Sequence, residues 1–168
     1  EYADKYPDTF RVISKENGGH GSTINCGIRN AVGKYFKVVD GDDWVNTADF
    51  VKLVEDLEKT ESEYVFTNYY EYYDDVNRQK AVDFPQFKDG TEYDFADVAN
   101  KVYIPMHALV IKTSVLKDNN IVIDEKCFYV DVEYVMFPVP FVNKVTFFDL
   151  HVYMYRLALS TQGYVPYV

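Results

Sequence analysis

Residues 10 to 44 carry the pattern that most restricts how this chain can fold. FRVISK alternates apolar and polar residues like a half-buried strand, ENGGHG is a glycine-rich loop, STINCGIRNAV places Ile24, Ile28, Ala31 and Val32 at helical spacing, and YFKVVD alternates again. Strand, three-turn helix and strand form a βαβ unit, which requires a parallel pair and a right-handed crossover. Ser22 is the expected N-cap of the helix and Gly33 its C′ residue. ENGGHG and GDDW each follow a strand of that unit, and ligands of open α/β sheets bind beyond the carboxyl ends of the strands. Both loops are therefore expected at one crevice.

The rest of the chain extends the same class. Asn46 or Thr47 can cap a helix over about 48–59 with Phe50, Leu53, Val54 and Leu57 on one side. SEYVFTNYY reads as a strand, 69–84 as a hairpin turning near Asp75 to Asn77, DFADVANK as a short helix, HALVIKTSV as a strand leading into a turn, and IVIDEKCF as extended chain. YVDVEYVMF fits helix or strand, its β-branched content favouring strand, and Pro138 and Pro140 end it. KVTFFDL and HVYMYRL read as closing strands, and EYADKYPDTF as the tail of a helix. The pattern predicts one α/β domain with an open sheet flanked by helices, without repeats or a second domain.

With 27 acidic against 17 basic residues and a net charge of −10, nucleic acid and anionic membrane are poor partners. No apolar run approaches a membrane span. Cys26 and Cys127 lie far apart without metal-ligand spacing, and read as free, reduced, buried thiols of a cytoplasmic protein. The 16 tyrosines and 12 phenylalanines point to a tyrosine-rich sheet surface, with stacking on a sugar or base as the other use.

Three carboxylates, Asp40, Asp42 and Asp43, stand together in a chain that already carries excess negative charge, which asks for a compensating cation or donors. Hard oxygen ligands suit Mg²⁺ or Mn²⁺, while the glycine loop offers backbone N–H groups suited to phosphate or a ribose hydroxyl. The plainer readings are that Asp43 helps to cap the next helix, that Asp40 and Asp42 are solvated, and that His20 is a surface histidine rather than a donor to ligand oxygens. DGDDWVNTADF lacks the ligand pattern of an EF-hand, and no GK[ST] follows the glycines as a Walker loop requires.

ENGGHGSTINCGIRNAVGKYFKVVDGDDWV resembles the core of family 2 glycosyltransferases of the GT-A fold. The glycine loop, Asn25 and Gly27 of the next helix, the A-x-G-K-Y-F segment and the D-x-D-D turn stand in the family's order over residues 10–58. Further on, IDEKCFYVDVEY resembles the segment that carries the catalytic base, and HVYMYR the closing strand. The resemblance implies a GT-A α/β fold, an open mixed, mainly parallel sheet flanked by helices that lacks its first strands. Residues 1–168 would be one partial catalytic domain, with 1–67 the nucleotide-sugar and metal half and 68–168 the acceptor side.

It further implies an inverting transferase moving a sugar from a nucleotide-diphosphate donor, a UDP-sugar above all, to a carbohydrate, lipid-linked or protein acceptor, in bacterial cell-wall or polysaccharide biosynthesis. Asp42 and Asp40 would hold Mg²⁺ or Mn²⁺; Asn17, Gly18, Gly19, His20 and Asp40 would bind the donor. Asp131 would be the catalytic base, with Glu133 the weaker candidate. Location at the inner face of the membrane would depend on parts beyond this chain. Val130 stands where many relatives carry Glu, Ile24 where many carry Arg, and the Q-x-x-R-W signature of processive synthases is absent, so single-sugar transfer is expected. The donor-binding D-D-G-S strand end would lie upstream of Glu1, leaving this fragment weakly active or inactive alone. The rival reading is a non-catalytic carbohydrate- or protein-binding module on a degenerate GT-A fold.

Overall fold

The computed structural model describes residues 1–157. After a four-residue helix α1 (Tyr2–Lys5), the elements run α2 (Gly19–Asn30), β1 (Tyr35–Phe36), β2 (Trp44–Val45), α3 (Thr47–Lys59), β3 (Tyr64–Tyr73), β4 (Arg78–Val82) and β5 (Thr91–Asp94). There follow α4 (Phe95–Val98), β6 (Leu109–Lys112), α5 (Thr113–Asp118), α6 (Val130–Met136), a 3₁₀ turn at Val139–Phe141 and β7 (Lys144–Leu157).

One mixed sheet of order β1-β6-β3-β7-β2 carries the described chain, with β4 added to β3 and β5 to β7. The two long strands β3 and β7 lie parallel at its centre, from Tyr64↔Val145 to Tyr73↔Leu157, with register shifts around Asn68. Asn68 spans that irregularity, donating from Nδ2 to Asp149 Oδ1 (2.7 Å) and accepting at Oδ1 from the Phe84 N–H (2.9 Å). Alternation along β3 sends Tyr64 and Phe66 to one face and Val65 to the other. The first face packs against Ile24 and Ile28 of α2, Leu116 of α5 and Tyr134 of α6. The second packs Leu53 of α3 with Val65, Val110 and Val152.

The mixed sheet with flanking helices agrees with the expected class, but its pairings differ in detail. Among the described residues only β3 and β7 pair in parallel; every other pairing is antiparallel, including β1 with β6. FRVISK forms no strand. Phe10, Val12 and Ile13 are 48%, 76% and 42% exposed, because alternation stabilises a strand only when a neighbour supplies the ladder and the apolar face. The expected parallel βαβ pair is accordingly not formed.

Helix α2 starts three residues before Ser22. Asn17 Oδ1 accepts from the Gly19 N–H (2.9 Å), an Asx turn that opens the helix early. Ser22 is buried within it and donates to the Gly19 carbonyl (2.7 Å). Ala31 rather than Gly33 ends it, in extended conformation. Asn46 caps α3 by accepting from the Ala48 and Asp49 N–H groups, and the hairpin at 69–84 forms with Asn77 at positive φ.

YVDVEYVMF is a helix, not a strand. Val130, Tyr134 and Val135 reach the core at helical spacing, and that burial outweighs β propensity. KVTFFDL and HVYMYRL are a single strand, β7, and HALVIKTSV ends in α5 rather than a turn. Neither cysteine is fully buried: Cys26 is intermediate and Cys127 exposed, both free. No described helix is long and apolar enough to cross a membrane.

Candidate active site

The acidic turn is fastened to β7. Tyr153 Oη accepts from the Asp40 N–H (3.1 Å) and donates to Asp43 Oδ2 (2.5 Å), while Asp43 Oδ1 accepts from the Arg156 N–H (2.7 Å). Asp43 is thus committed to holding the turn rather than to capping α3. Its carboxyl is raised, chiefly by burial and against the help of those donors. One answer to the crowding of carboxylates is therefore internal: donors from β7 absorb part of the charge.

His20, in the first turn of α2, supplies another part. Its Nε2 lies 3.0 Å from Asp40 Oδ1, and that hydrogen bond, opposed by burial, raises the imidazole above its ordinary value. The loop before β6 contributes His107, whose ring stacks on Tyr155 at 3.9 Å between centroids and meets Tyr153 edge-on at 5.0 Å. Burial lowers His107 to about 4, so it is neutral near pH 7. No pattern in the sequence marked His107, Tyr153 or Tyr155; their positions depend on β6 and β7 converging on the turn.

Beneath His107 lies Lys37. Its ammonium is buried although its stem is partly exposed, and it donates to the carbonyls of His107 (2.8 Å) and Leu109 (3.2 Å), which face it at the start of β6. Burial lowers this amine to about 7. In the unfolded chain it titrates near 10.5, so between those values the unfolded state binds more protons and stability rises with pH. Melting followed at pH 6.5 and 9 is expected to show a gain of roughly 2–4 kcal/mol, absent in Lys37→Met; an identical gain in that variant would contradict the assignment.

His20, Asp40, Asp42 and Asp131 line one cavity of about 270 Å³, together with Asp43, His107, Cys127 and Tyr155. Asp131 enters from the first turn of α6, just after Tyr129 at φ 61°. The cavity lies near the lower end for small-molecule sites, roughly 300–1,000 Å³, and has room for the reacting end of a ligand. Ligand atoms of Asp40, Asp43 and His107 all lie within 4.8 Å of one another. The carboxylate oxygens suit Mg²⁺ or Mn²⁺, whereas the imidazole is a ligand of softer transition ions such as Zn²⁺.

Four of the expected residues are elsewhere. Asn17 is spent on the Asx turn, Gly18 accepts from the Lys126 N–H at 2.9 Å, and Gly19, at φ +81°, faces the Lys126 backbone. Glu133 Oε2 accepts from the Asp124 N–H (2.8 Å). None of the four lines the cavity. The glycine loop instead docks α2 on residues 123–126, the stretch that leads to Asp131. Asn25 completes that dock by exchanging hydrogen bonds with both backbone groups of Ile123, at 2.8 and 2.9 Å.

Comparison with known proteins follows the same lines. The family model described as glycosyl transferase family 2 matches residues 1–119. The uncharacterized glycosyltransferase EpsJ of Bacillus subtilis (strain 168) is 43% identical over 61 residues, 36% of this chain and 18% of that protein. The minor teichoic acid biosynthesis protein GgaB of the same organism is 35% identical over 63 residues, 38% of this chain and 7% of that protein. The structure of S. aureus TarS 1–349 in complex with UDP-GlcNAc superposes with a TM-score of 0.72 at 18% identity, covering 99% of this chain and 48% of that one. The chain thus spans about half of that structure, and the aligned part under a fifth of these curated relatives.

Proposed function

The chain belongs to glycosyl transferase family 2, and from that premise we propose that its cavity is the transfer site of an inverting glycosyltransferase using a nucleotide-diphosphate sugar and a divalent cation. The observation that carries this reading is the meeting of the acidic turn and Asp131 in one cavity. TarS, which shares the fold, has been crystallised with UDP-GlcNAc and with UDP, which favours a UDP-sugar donor. Relatives include a teichoic acid biosynthesis protein, consistent with cell-wall or polysaccharide synthesis.

Asp40 and Asp42 would hold Mg²⁺ or Mn²⁺; Asp43 and His107 lie close to Asp40. The bound cation supplies positive charge against the departing diphosphate. Asp131 takes the proton of the acceptor hydroxyl while that oxygen bonds to the anomeric carbon and the carbon–phosphate-oxygen bond breaks, inverting the configuration through an oxocarbenium-like state. His20 holds Asp40 in place from the helix side. Val130 is 2% exposed and lines the cavity as an apolar wall, so at the position that is Glu in many relatives this chain carries no acid, and Asp131 is the α6 carboxylate that faces the cavity.

Isothermal titration of the full-length protein with UDP-GlcNAc and Mn²⁺ tests the assignment. Asp40→Asn and Asp42→Asn are each expected to weaken Mn²⁺-dependent binding by about 10- to 100-fold with little change in melting temperature. Asp43→Ala is expected to act on stability first, because it leaves the Arg156 N–H and the Tyr153 hydroxyl without their acceptor, at a cost of roughly 2–4 kcal/mol. Binding that ignores Mn²⁺, or is untouched by both Asn variants, rules the metal assignment out and returns the chain to a binding module.

A further inference from the structure

A second cavity, of about 460 Å³, lies between α6 and the segment from α4 to Ile104. Its interior is apolar: Phe95, Val98 and Ile104 come from the segment, and Val135, Met136 and Val139 from α6 and the turn after it. The Tyr64 hydroxyl in its wall is already spent, donating to the Val135 carbonyl at 2.7 Å. Asn100 and Lys101 add the other polar side chains besides Tyr103. A free saccharide, which needs convergent hydrogen-bond partners, has few here; an aliphatic chain needs none.

The cavity is tied to the reaction site through α6. Val135 stands one helical turn after Asp131 on the same face, and Asp131 to Met136 covers roughly 7–8 Å of helix axis. Tyr103, 60% exposed, lines this cavity, and its phenol is raised first by partial burial and then by the Asp131 carboxylate. Met136 in the cavity wall is 51% exposed, and Phe137 and Phe141 nearby in the chain are 43% and 41% exposed.

We propose that this cavity receives the aliphatic chain of a glycolipid acceptor, whose sugar hydroxyl is thereby delivered past Tyr103 to Asp131. The assignment rests on the transferase reading for its purpose, but the cavity's ligand is tested separately. A protein or free polysaccharide acceptor is the competing outcome.

Alkyl β-D-maltosides with six, eight and ten carbons, kept below micelle-forming concentrations, probe the site on this chain by titration. Affinity is expected to rise about three- to fourfold for each methylene buried, until the cavity is filled. Ala99 is exposed and lines the mouth, so Ala99→Trp fills the cavity without touching the core and should flatten the chain-length dependence. Met136→Lys, at another exposed wall position, should do the same if the tryptophan variant folds poorly. Maltose binding as tightly as decyl maltoside, or a chain-length dependence unchanged in both variants, overturns the inference. UDP-GlcNAc titration with Mn²⁺ on the same variants separates the two readings. Retained donor binding with lost alkyl dependence supports the cavity, whereas absent donor binding in the full-length protein sinks the transferase reading and leaves an aliphatic-ligand site.

Discussion

Asp131→Asn is expected to slow sugar transfer by the full-length protein about 10²–10⁴-fold, the usual contribution of a positioned general base, while UDP-GlcNAc binding with Mn²⁺ is retained. The asparagine keeps size and shape but cannot take the acceptor's proton. Asp131 is the cavity carboxylate carried by α6, whereas Asp40, Asp42 and Asp43 all come from the turn after β1. A loss confined to turnover therefore distinguishes the base from a donor ligand. Glu133 offers the control. Its carboxylate accepts from the Asp124 N–H and does not line the cavity, so Glu133→Gln should leave the rate nearly unaltered. If Glu133→Gln were the variant that lost turnover, the roles of the two acids would have to be exchanged. If neither mattered, the chain would keep the fold without the chemistry.

The difference between these two acids was legible only in part. Asp131 and Glu133 stand two apart, and on a strand they would share a face; the β-branched residues around them favoured that conformation. On the helix that forms, they diverge by about 200°, one to the cavity and one to the 123–126 segment. What chose the helix was burial of Val130, Tyr134 and Val135 against residues distant in sequence, which no local pattern records. The acidic turn and the helix over 47–59 were legible because their signals are local: an aspartate run and an asparagine cap. FRVISK shows the converse. Its alternation is as clear as that of YFKVVD, of which only Tyr35–Phe36 becomes strand, where β6 pairs with it; a strand needs a partner, and partner geometry is non-local. His107 and Tyr153 escaped notice for the same reason, since each gains its role only when β6 and β7 bring it to the turn.

The structure gives the glycine loop a task that the sequence reading did not, and Gly21→Ala measures it. A Cβ built on Gly21 would stand 2.0 Å from the Asp124 carbonyl oxygen and 3.1 Å from Ile123 Cγ2. The oxygen belongs to backbone held by Asn25 and by Glu133, so it cannot swing aside as a flexible side chain would. The cost is expected at the upper end of overpacking, roughly 3 kcal/mol, which lowers the melting temperature by about 6–12 °C for a domain of this size. Gly41→Ala, where a Cβ meets nothing within 4 Å, is expected to melt with the unaltered chain. A nucleotide-binding role for the loop predicts another outcome: Gly21→Ala would lose donor affinity at unchanged stability. A normal melting curve with impaired UDP-GlcNAc binding would therefore restore that role. A depressed curve, by contrast, makes the glycines a dock. Without a side chain at 21, α2 lies directly on residues 123–126, and only that close approach lets His20 reach Asp40 while Asp131, a few residues further along, turns into the same cavity.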